Sequence, residues 1–429
     1  MRCLLMSIFH KLYETIQDAC YIWREEMKQV FRDEGVLIFF IIVPLAYPLL
    51  YSWIYNNEVV REVPVVVVDQ SHSFLSRQFI RECDASPDVK VAYYAEDLDE
   101  AKTLVSRQVV KGVYLIPSDF ATHINRMEQA VVSVYCDMSL MLTYKAIYQT
   151  AVAVTQSMGT EIQTKLAGNY TAREDQITTK PLAFEDVPIF NPAGGYGNFI
   201  IPAVLILILQ QTLVLGIGLS AGTARERNRY ADLVPIHKCY SSVGRIVGGK
   251  ALCYLMVYAV MAAYLTMVVP RLFSFLALIH WQDLLQLMVP YLLACVFFGM
   301  TVSCLVRYRE NVMLLMVFVS LPLLFLTGVS WPQSNISGFW QGISWLFPST
   351  FGVRAFVRMN SLGGTLGDVL LEIRCLWIQA FAYLFAACLV YGHQLRESRR
   401  HAHERLDYLR KKKEVRLLLK QANLKHTNP

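Results

Sequence analysis

Phe199-Ile200-Ile201-Pro202-Ala203-Val204-Leu205-Ile206-Leu207-Ile208-Leu209-Gln210-Gln211-Thr212-Leu213-Val214-Leu215-Gly216-Ile217-Gly218-Leu219 decides the fold class. It is 21 residues without a charge, and its polar groups are two amides and one hydroxyl. A helix needs about 20 apolar residues to cross a bilayer. The charge-free window around this core runs from Val187 to Ala224. Working outward, the same signature recurs. Val36 to Tyr55 is charge-free, Ala251 to Pro270 lies between Lys250 and Arg271, and Leu284 to Val306 lies between Asp283 and Arg307. Asn311 to Val353 carries no charge and is too long for one span; Cys375 to Leu395 holds only His393 between Arg374 and Arg396. This predicts a polytopic α-helical membrane protein with six spans, about 36–55, 198–220, 249–270, 284–306, 311–331 and 374–395. Thirty-five residues with six acids precede the first run, so it reads as a retained anchor rather than a cleaved leader.

The composition agrees. Of 429 residues, 55% are apolar and 17% charged, against about 25% charged in soluble domains; mean hydropathy is +0.36. Disorder and a purely soluble enzyme are excluded, and a net charge of +6 is too small to indicate a nucleic-acid partner. The charge is sorted along the chain. Residues 57–195 hold 12 basic and 18 acidic residues, whereas 396–429 hold 11 basic and 4 acidic. With the N-terminus inside, the inner segments carry 24 Lys/Arg and the short outer ones 4, which satisfies the positive-inside rule. Both termini are then cytoplasmic and the acidic block is outside.

That block alternates strand and helix signals. Val63–Val68 is a β-branched run ending at Asp69; Ser71 and Ser73 offer a cap for a helix over Phe74–Glu82. Val89–Tyr94, Gly112–Ile116 and Val131–Tyr135 read as strands; Leu98, Ala101, Leu104 and Val105 mark a helix face, Phe120–Arg126 a short helix and Leu140–Leu166 a long one. Solid apolar strands between helices predict a small α/β layer domain. Asp69 and Asp137 close strands as turn residues. Cys83 and Cys136 fall in this block; an oxidising compartment permits them to pair, and two buried free thiols is the favoured alternative.

On the inner side, Phe9, Leu12, Ile16, Cys20, Trp23, Met27 and Val30 recur at steps of three or four, with Lys11, Arg24, Lys28 and Arg32 interleaved. This predicts an amphipathic helix lying on the membrane face, an ordinary packed helix being the alternative. The loop after the second span, Ala224-Arg225-Glu226-Arg227-Asn228-Arg229-Tyr230-Ala231-Asp232-Leu233-Val234-Pro235, reads as a short charged helix up to Pro235. Gly244-Arg245-Ile246-Val247-Gly248-Gly249-Lys250-Ala251 nearly spells a phosphate-binding loop, but Ala251 lacks the hydroxyl that holds magnesium and the segment runs into a span. Its glycines read instead as sites of close helix approach.

The spans hold essentially no ionisable residue apart from Lys250 and His393 at their ends. This disfavours a proton- or sodium-driven carrier, and no H-E-x-x-H is present. After the fifth span, Trp331-Pro332, Phe339-Trp340 and Trp345-Leu346-Phe347-Pro348 form a second apolar stretch too short to cross, followed by Arg354 and Arg358 one turn apart. A re-entrant or interfacial pair of short helices on the outer side fits.

With these residues in order, the chain resembles the ABC-2 type exporter permeases, in the subgroup with a large extracytoplasmic domain between the first and second spans. Val63-Pro64-Val65-Val66-Val67-Val68-Asp69 with Ser76-Arg77 resembles the family's first external strand and helix. Gly112-Val113-Tyr114-Leu115-Ile116-Pro117-Ser118-Asp119-Phe120 resembles its G-V-x-x-I-P-x-x-F segment. Phe190-Asn191-Pro192 and Asn198-Phe199-Ile200-Ile201-Pro202 resemble the start of its second span. Gly328-Val329-Ser330-Trp331-Pro332 and Phe347-Pro348-Ser349-Thr350 resemble its outer re-entrant turn. The likeness covers about residues 20–395. One departure is that Arg225-Glu226-Arg227 is followed by Asn228-Arg229-Tyr230 where the family commonly has Gly-Thr.

The resemblance implies a non-enzymatic half-transporter in a bacterial inner membrane, with no cofactor or metal. Two identical or related permeases form the pathway. Separate ATPase subunits dock against Arg225, Glu226, Arg227 and Arg229 and against Trp23 and Arg24 of the N-terminal helix. Trp331, Pro332, Phe347, Pro348, Arg354 and Arg358 form an outer gate. A periplasmic adaptor and an outer-membrane channel are implied partners, and the cargo class is amphipathic. The implied organisation is an interfacial helix over 1–35, a span over 36–55, an extracytoplasmic domain over 56–197 and five spans over 198–395. A coupling loop over 221–248, a re-entrant segment over 332–360 and a basic tail over 396–429 complete it. Two other functions remain open: an extracytoplasmic sensor or assembly protein that transports nothing, and a membrane-embedded transferase, for which no paired acids or histidines are evident.

Overall fold

Asp33 breaks the N-terminal helix from the first apolar run. Its carboxylate Oδ1 accepts the backbone N–H groups of Gly35 and Val36, at 3.1 and 3.3 Å, which caps the new helix. Helix α1 therefore covers Arg2–Arg32 and α2 covers Glu34–Ile54. The computed structural model describes residues 2–426 apart from 57–58, 169–170, 180–186, 188, 192–193, 229–231, 236 and 307; of side chains, those of 2–12, 305 and 414–426 are also outside the description.

The chain divides into two units, one of residues 57–195 and one of 1–56 with 196–429. In the first, β1 (Val63–Asp69), α3 (Phe74–Asp84), β2 (Val89–Tyr94), α4 (Leu98–Ser106), β3 (Gly112–Ile116), α5 (Phe120–Asn125), β4 (Ser133–Cys136), α6 (Met141–Ala167) and α7 (Ala172–Thr179) follow in order. The sheet order is β2-β1-β3-β4. β1 is parallel to β2 and β3, while β4 is antiparallel to β3. Because strand side chains alternate, Val65 and Val67 enter a core with Phe79, Tyr114 and Ile147, and Val66 and Val68 enter a second core with Ala101 and Val113. Burial on both faces explains the unbroken β-branched run. Asp69 does turn chemistry, accepting from Ser71 N, His72 N and Ser76 Oγ. Cys83 and Cys136 are free thiols; burial pushes them up to about 12 and about 11.

In the second unit, α8 (Tyr196–Arg227), α9 (Val243–Leu272) and α10 (Trp281–Leu305) are followed by α11 (Arg309–Leu326) and two short helices, α12 (Gly338–Ser344) and α13 (Pro348–Leu362). The last helix is α14 (Leu370–His426). Among the described residues, six helices are long and apolar enough to cross a membrane: α2, α8, α9, α10, α11 and the first part of α14. The expected pair of short helices after the fifth is present as α12 and α13. Helix α8 is the hub, with 89% of its apolar window buried against 17% for α11. Both π-turns, Ile38–Ile42 in α2 and Tyr264–Val268 in α9, sit just ahead of a proline, Pro44 and Pro270. The extra residue absorbs the hydrogen bond that proline cannot donate.

One expectation is corrected. The helix after the second span ends at Arg227 rather than Pro235: Asn228 Nδ2 bonds to Asp232 O at 3.2 Å and turns the chain. The sixth span and the basic tail share one helix, α14, which runs unbroken for 57 residues, about 85 Å at 1.5 Å per residue. On α1, Ile22, Glu26 and Val30 are buried, while Ile16 and Cys20 are exposed.

Candidate functional site

At the end of the bundle that carries α1, buried ions tie the N-terminal helix to the spans. Glu26 is the centre. Lys250 Nζ of α9 lies 2.6 Å from Glu26 Oε2, with side chains 5% and 3% exposed. Ser220 Oγ of α8 donates to Glu26 Oε1 at 3.0 Å, and Tyr254 OH of α9 donates to the same oxygen. Gln29 Nε2 adds a bond to Ser220 O at 3.1 Å. Burial works against the charged carboxylate, but the Lys250 charge and these donors outweigh it, so Glu26 is held below its ordinary range. The lysine of the apparent phosphate-binding loop is thus consumed by an internal ion pair. One of that loop's glycines does what close packing requires: a Cβ at Gly249 would lie 2.9 Å from Ala19 O and from Ile22 Cβ.

A second buried acid sits two turns along. Asp33 pairs with Arg309 of α11, Oδ1 to Nη2 at 2.8 Å, and accepts Thr223 Oγ1 of α8 at 2.7 Å. Burial again opposes ionisation, and Thr223, the Val36 N–H and Arg309 overcome it, lowering the Asp33 pKa. Small residues let these elements meet. A Cβ on Gly216 would fall 1.6 Å from the Phe40 ring, and one on Gly222 3.0 Å from Arg309 Cα.

The predicted coupling residues separate. Arg225 is buried, its guanidinium bonded to Cys304 O at 3.0 Å and to Val306 O, where it caps the last turn of α10. Glu226 and Arg227 are exposed beside it, and Arg229 lies outside the described residues. Trp23 is half-buried against the bundle and Arg24 is exposed. The loop beyond Arg227 is pinned from two sides. Ser398 Oγ and Arg399 Nη2 of α14 reach Val234 O and Ser241 O at 2.9 and 2.7 Å, and His401 Nδ1 meets the buried Asp232 at 3.0 Å. From α1, Asp18 pairs with Arg245, and Tyr21 stacks on His237 at 4.9 Å. A 340 Å³ cavity opens between Arg227, Asn228, Pro235 and Tyr240, with Glu26 and Lys250 among its lining residues.

Near the α12–α13 hairpin, Phe347 is the N-cap residue of α13 and Pro348 its first residue. Gln210 Oε1 of α8 accepts Ser349 N at 2.6 Å, so the amide in the middle of the deciding stretch caps α13. Tyr291 OH of α10 donates to Ile206 O at 2.6 Å while its ring packs where a Cβ on Gly352 would stand, 2.4 Å away. Arg354 Nε donates to Thr327 O at 3.2 Å, and Arg358 pairs with the buried Glu372 at 2.7 Å. Burial lowers the Arg354 pKa. Trp331 and Pro332 are exposed. Sequence reasoning missed Glu26 and Asp33. The available signal was Glu26, an acid between Ile22 and Val30 on a helix face, with Asp33 seven residues on, just ahead of the first apolar run.

A buried polar hub at one end of six membrane helices, an inserted α/β unit and a capped hairpin define a polytopic transport component. Residues 35–389 match the model of the ABC-2 family transporter protein, and the chain belongs to that family. It is a multi-pass membrane protein and an ABC-2 transporter membrane component. No curated protein matches it.

Proposed function

We propose that the chain is the permease subunit of an ATP-driven exporter, working as a dimer and driven by separate ATPase subunits. The observation that carries this reading is the Glu26–Lys250 pair with its Ser220 and Tyr254 partners, because it makes α1 and two spans one mechanical body. In this reading the α1 end is cytoplasmic, in keeping with the charge asymmetry, and the ATPase presses on Glu226, Arg227 and Arg24 around the cavity. The push passes through Glu26 to α8 and α9 and through Asp33 to α11. Arg225 holds α8 to α10 so that the push is not lost in bending. At the far end, α13 moves with α8 because Gln210 caps it, and Arg354 and Arg358 stand at the outer gate.

The open stripe of α11, with Leu314, Val317, Phe318, Leu321 and Phe325 more than half exposed, supports a second permease there. A bacterial inner membrane, with an adaptor and outer channel, is the setting this reading implies. The test is isolation of the intact complex from membranes, with subunits identified, followed by ATPase and export assays in proteoliposomes. The reading expects no hydrolysis by the chain alone and coupled export with its ATPase. Hydrolysis by the isolated chain, or a native complex without an ATPase, refutes it.

A further inference from the structure

The unit of residues 57–195 carries a polar cleft at the carboxyl ends of its parallel strands. A strand's outgoing loop turns toward the face that its next helix covers. After β1 the chain turns to α3, whose Phe79, Ile80 and Cys83 pack in the core with Val65 and Val67. After β2 it turns to α4, whose Ala101 packs with Val66 and Val68 on the other face. After β3 it returns to the first face, where Phe120 of α5 packs. Among the described strands, β1 and β2 are therefore the parallel neighbours whose outgoing loops part to opposite faces. In open α/β sheets that parting is where ligands bind. A cleft of 860 Å³ opens there. Gln70 and His72 of the β1–α3 loop form one wall, Tyr94 and Glu96 at the end of β2 the other, and Arg77 and Arg81 of α3 line the side. The β1–α3 wall is fixed. Asp69 Oδ1 accepts the Ser71 and His72 N–H groups at 3.0 and 3.1 Å, and Oδ2 accepts Ser76 Oγ at 2.8 Å. These bonds hold His72 at φ 46°, a left-handed conformation uncommon outside glycine that persists where the surroundings impose it.

We propose that this cleft binds a phosphate ester whose carbon body carries hydroxyl groups. The arginines argue for the oxyanion. Residues 57–195 hold 12 basic and 18 acidic residues, so an anion is held there only by local cations. Lys90, Lys102 and Lys165 of this unit each meet an acid within 4 Å. Among the described residues Arg77 and Arg81 meet none: Arg77 Nε donates to Ser73 O at 3.1 Å, and the Arg81 guanidinium stands 6.0 Å from the Phe74 ring centre. Four residues apart on α3, the two share a face. A carboxylate has two oxygens, and one guanidinium fork takes both. Two forks one turn apart suit a group with more oxygens, which is phosphate. The acids argue for the hydroxyls. Asp69 has both oxygens engaged within the loop, whereas the exposed Glu96 faces the cleft as an acceptor. Bare phosphate would set a second negative charge in the cleft with Glu96; a hydroxyl on the ester donates to it instead. An acid at the end of the second strand does the same for a ribose hydroxyl in dinucleotide-binding sheets. The Tyr94 ring, 68% exposed, offers its face to the carbon body. None of this depends on the exporter reading.

The test labels arginines with phenylglyoxal in full-length protein held in phosphatidylcholine nanodiscs, with modified peptides mapped by mass spectrometry. In one arm glycerol 3-phosphate is added in solution; in the other, phosphatidylglycerol is built into the disc. The expected result is slower modification of Arg77 and Arg81 by about tenfold or more, with Arg107 and Arg126, exposed elsewhere in the same unit, unchanged. Protection in the first arm identifies a free ester as the source, and protection in the second a lipid headgroup. Calorimetry then compares variants. Arg77→Gln with Arg81→Gln, both at exposed positions, should melt like the parent and bind glycerol 3-phosphate about tenfold more weakly or worse. Glu96→Ala should cut the preference for glycerol 3-phosphate over inorganic phosphate about threefold or more. The proposal is overturned by the absence of protection in both arms, by equal protection of Arg107 and Arg126, by equal protection with glycerate, or by undiminished binding in the double arginine variant. Should that variant fail to fold, protection in the parent protein decides alone. Transport plays no part in the readout, so a negative result removes the site and leaves the exporter reading to its own ATPase test.

Discussion

Replacing Lys250 by methionine removes the cation from a pair 2.6 Å apart whose side chains are 5% and 3% exposed. The Glu26 carboxylate then keeps Ser220 and Tyr254 as donors but loses its countercharge in a site closed to water. Stranding one member of a buried pair costs about 3–5 kcal/mol, a factor of roughly 10² to 10³·⁵ in the equilibrium between docked and undocked α1. Glu26→Gln strands Lys250 instead and falls in the same range. The double substitution Glu26→Leu with Lys250→Met leaves no buried charge and returns close to the parent, since apolar replacement of a whole pair is often neutral. The readout is the labelling rate of Cys253, buried three residues from Lys250 on α9, followed by peptide mass spectrometry. Each single variant should accelerate labelling at least a hundredfold, and the double variant by less than tenfold. The pH dependence has a fixed sign. The carboxyl is lowered in the folded state, so its stabilisation is complete above its unfolded value near 4.5 and is lost as pH falls below that through the folded value. Additive single effects, or a Lys250→Met protein whose Cys253 stays protected, would refute the argument that this pair holds α1 to the spans.

Arg225→Glu should abolish the folded protein, because it sets a carboxylate against the Cys304 and Val306 carbonyls at a cost of about 3–5 kcal/mol. Arg227→Glu should leave melting unchanged and lower only ATP-coupled export; equal melting of the two proteins refutes the distinction. Gly216→Val should destabilise by about 1–3 kcal/mol through overpacking against Phe40, and Phe40→Ala should restore the melting point. Ser398→Ala with His401→Ala should speed hydrogen exchange over residues 232–240 and leave α10 unchanged, since the α14 bonds to that loop are what the variant removes. His123, bonded to Glu128 at 2.6 Å and Asp119 at 2.9 Å, has a raised pKa because of those bonds; NMR titration should place it above 6.5, and what it adds to α5 is present at lower pH and fades as pH rises through that value.

What the sequence made legible divides along the range of the interaction. The strands and helices of residues 57–195 fall close to where period and caps put them, because each was decided by neighbours within one turn or one strand; Asp69, Ser73 and Ser76 bond among themselves. The six apolar runs were equally legible, being a matter of length and charge. The loop after Arg227 was not. Its residues have the composition of a helix, but their conformation is set by Asp232 meeting His401, 169 positions away, and by Val234 meeting Ser398, 164 away. Arg225 misled for the same reason: an arginine beside Glu226 and Arg227 looks like one more exposed charge until the carbonyls about 80 residues on take it inward. Glu26 and Asp33 carried more than was read from them. Glu26 lies on the stripe with Ile22 and Val30, and Asp33, seven residues on, is where α1 ends. Buried acids are tolerable only if cations meet them from elsewhere in the chain. Cations able to do so without crossing lipid stand at the span ends, and Lys250 and Arg309 are two of them. The pairing therefore ties this segment to two different spans, through Glu26 on α1 and through Asp33 at the end of α1.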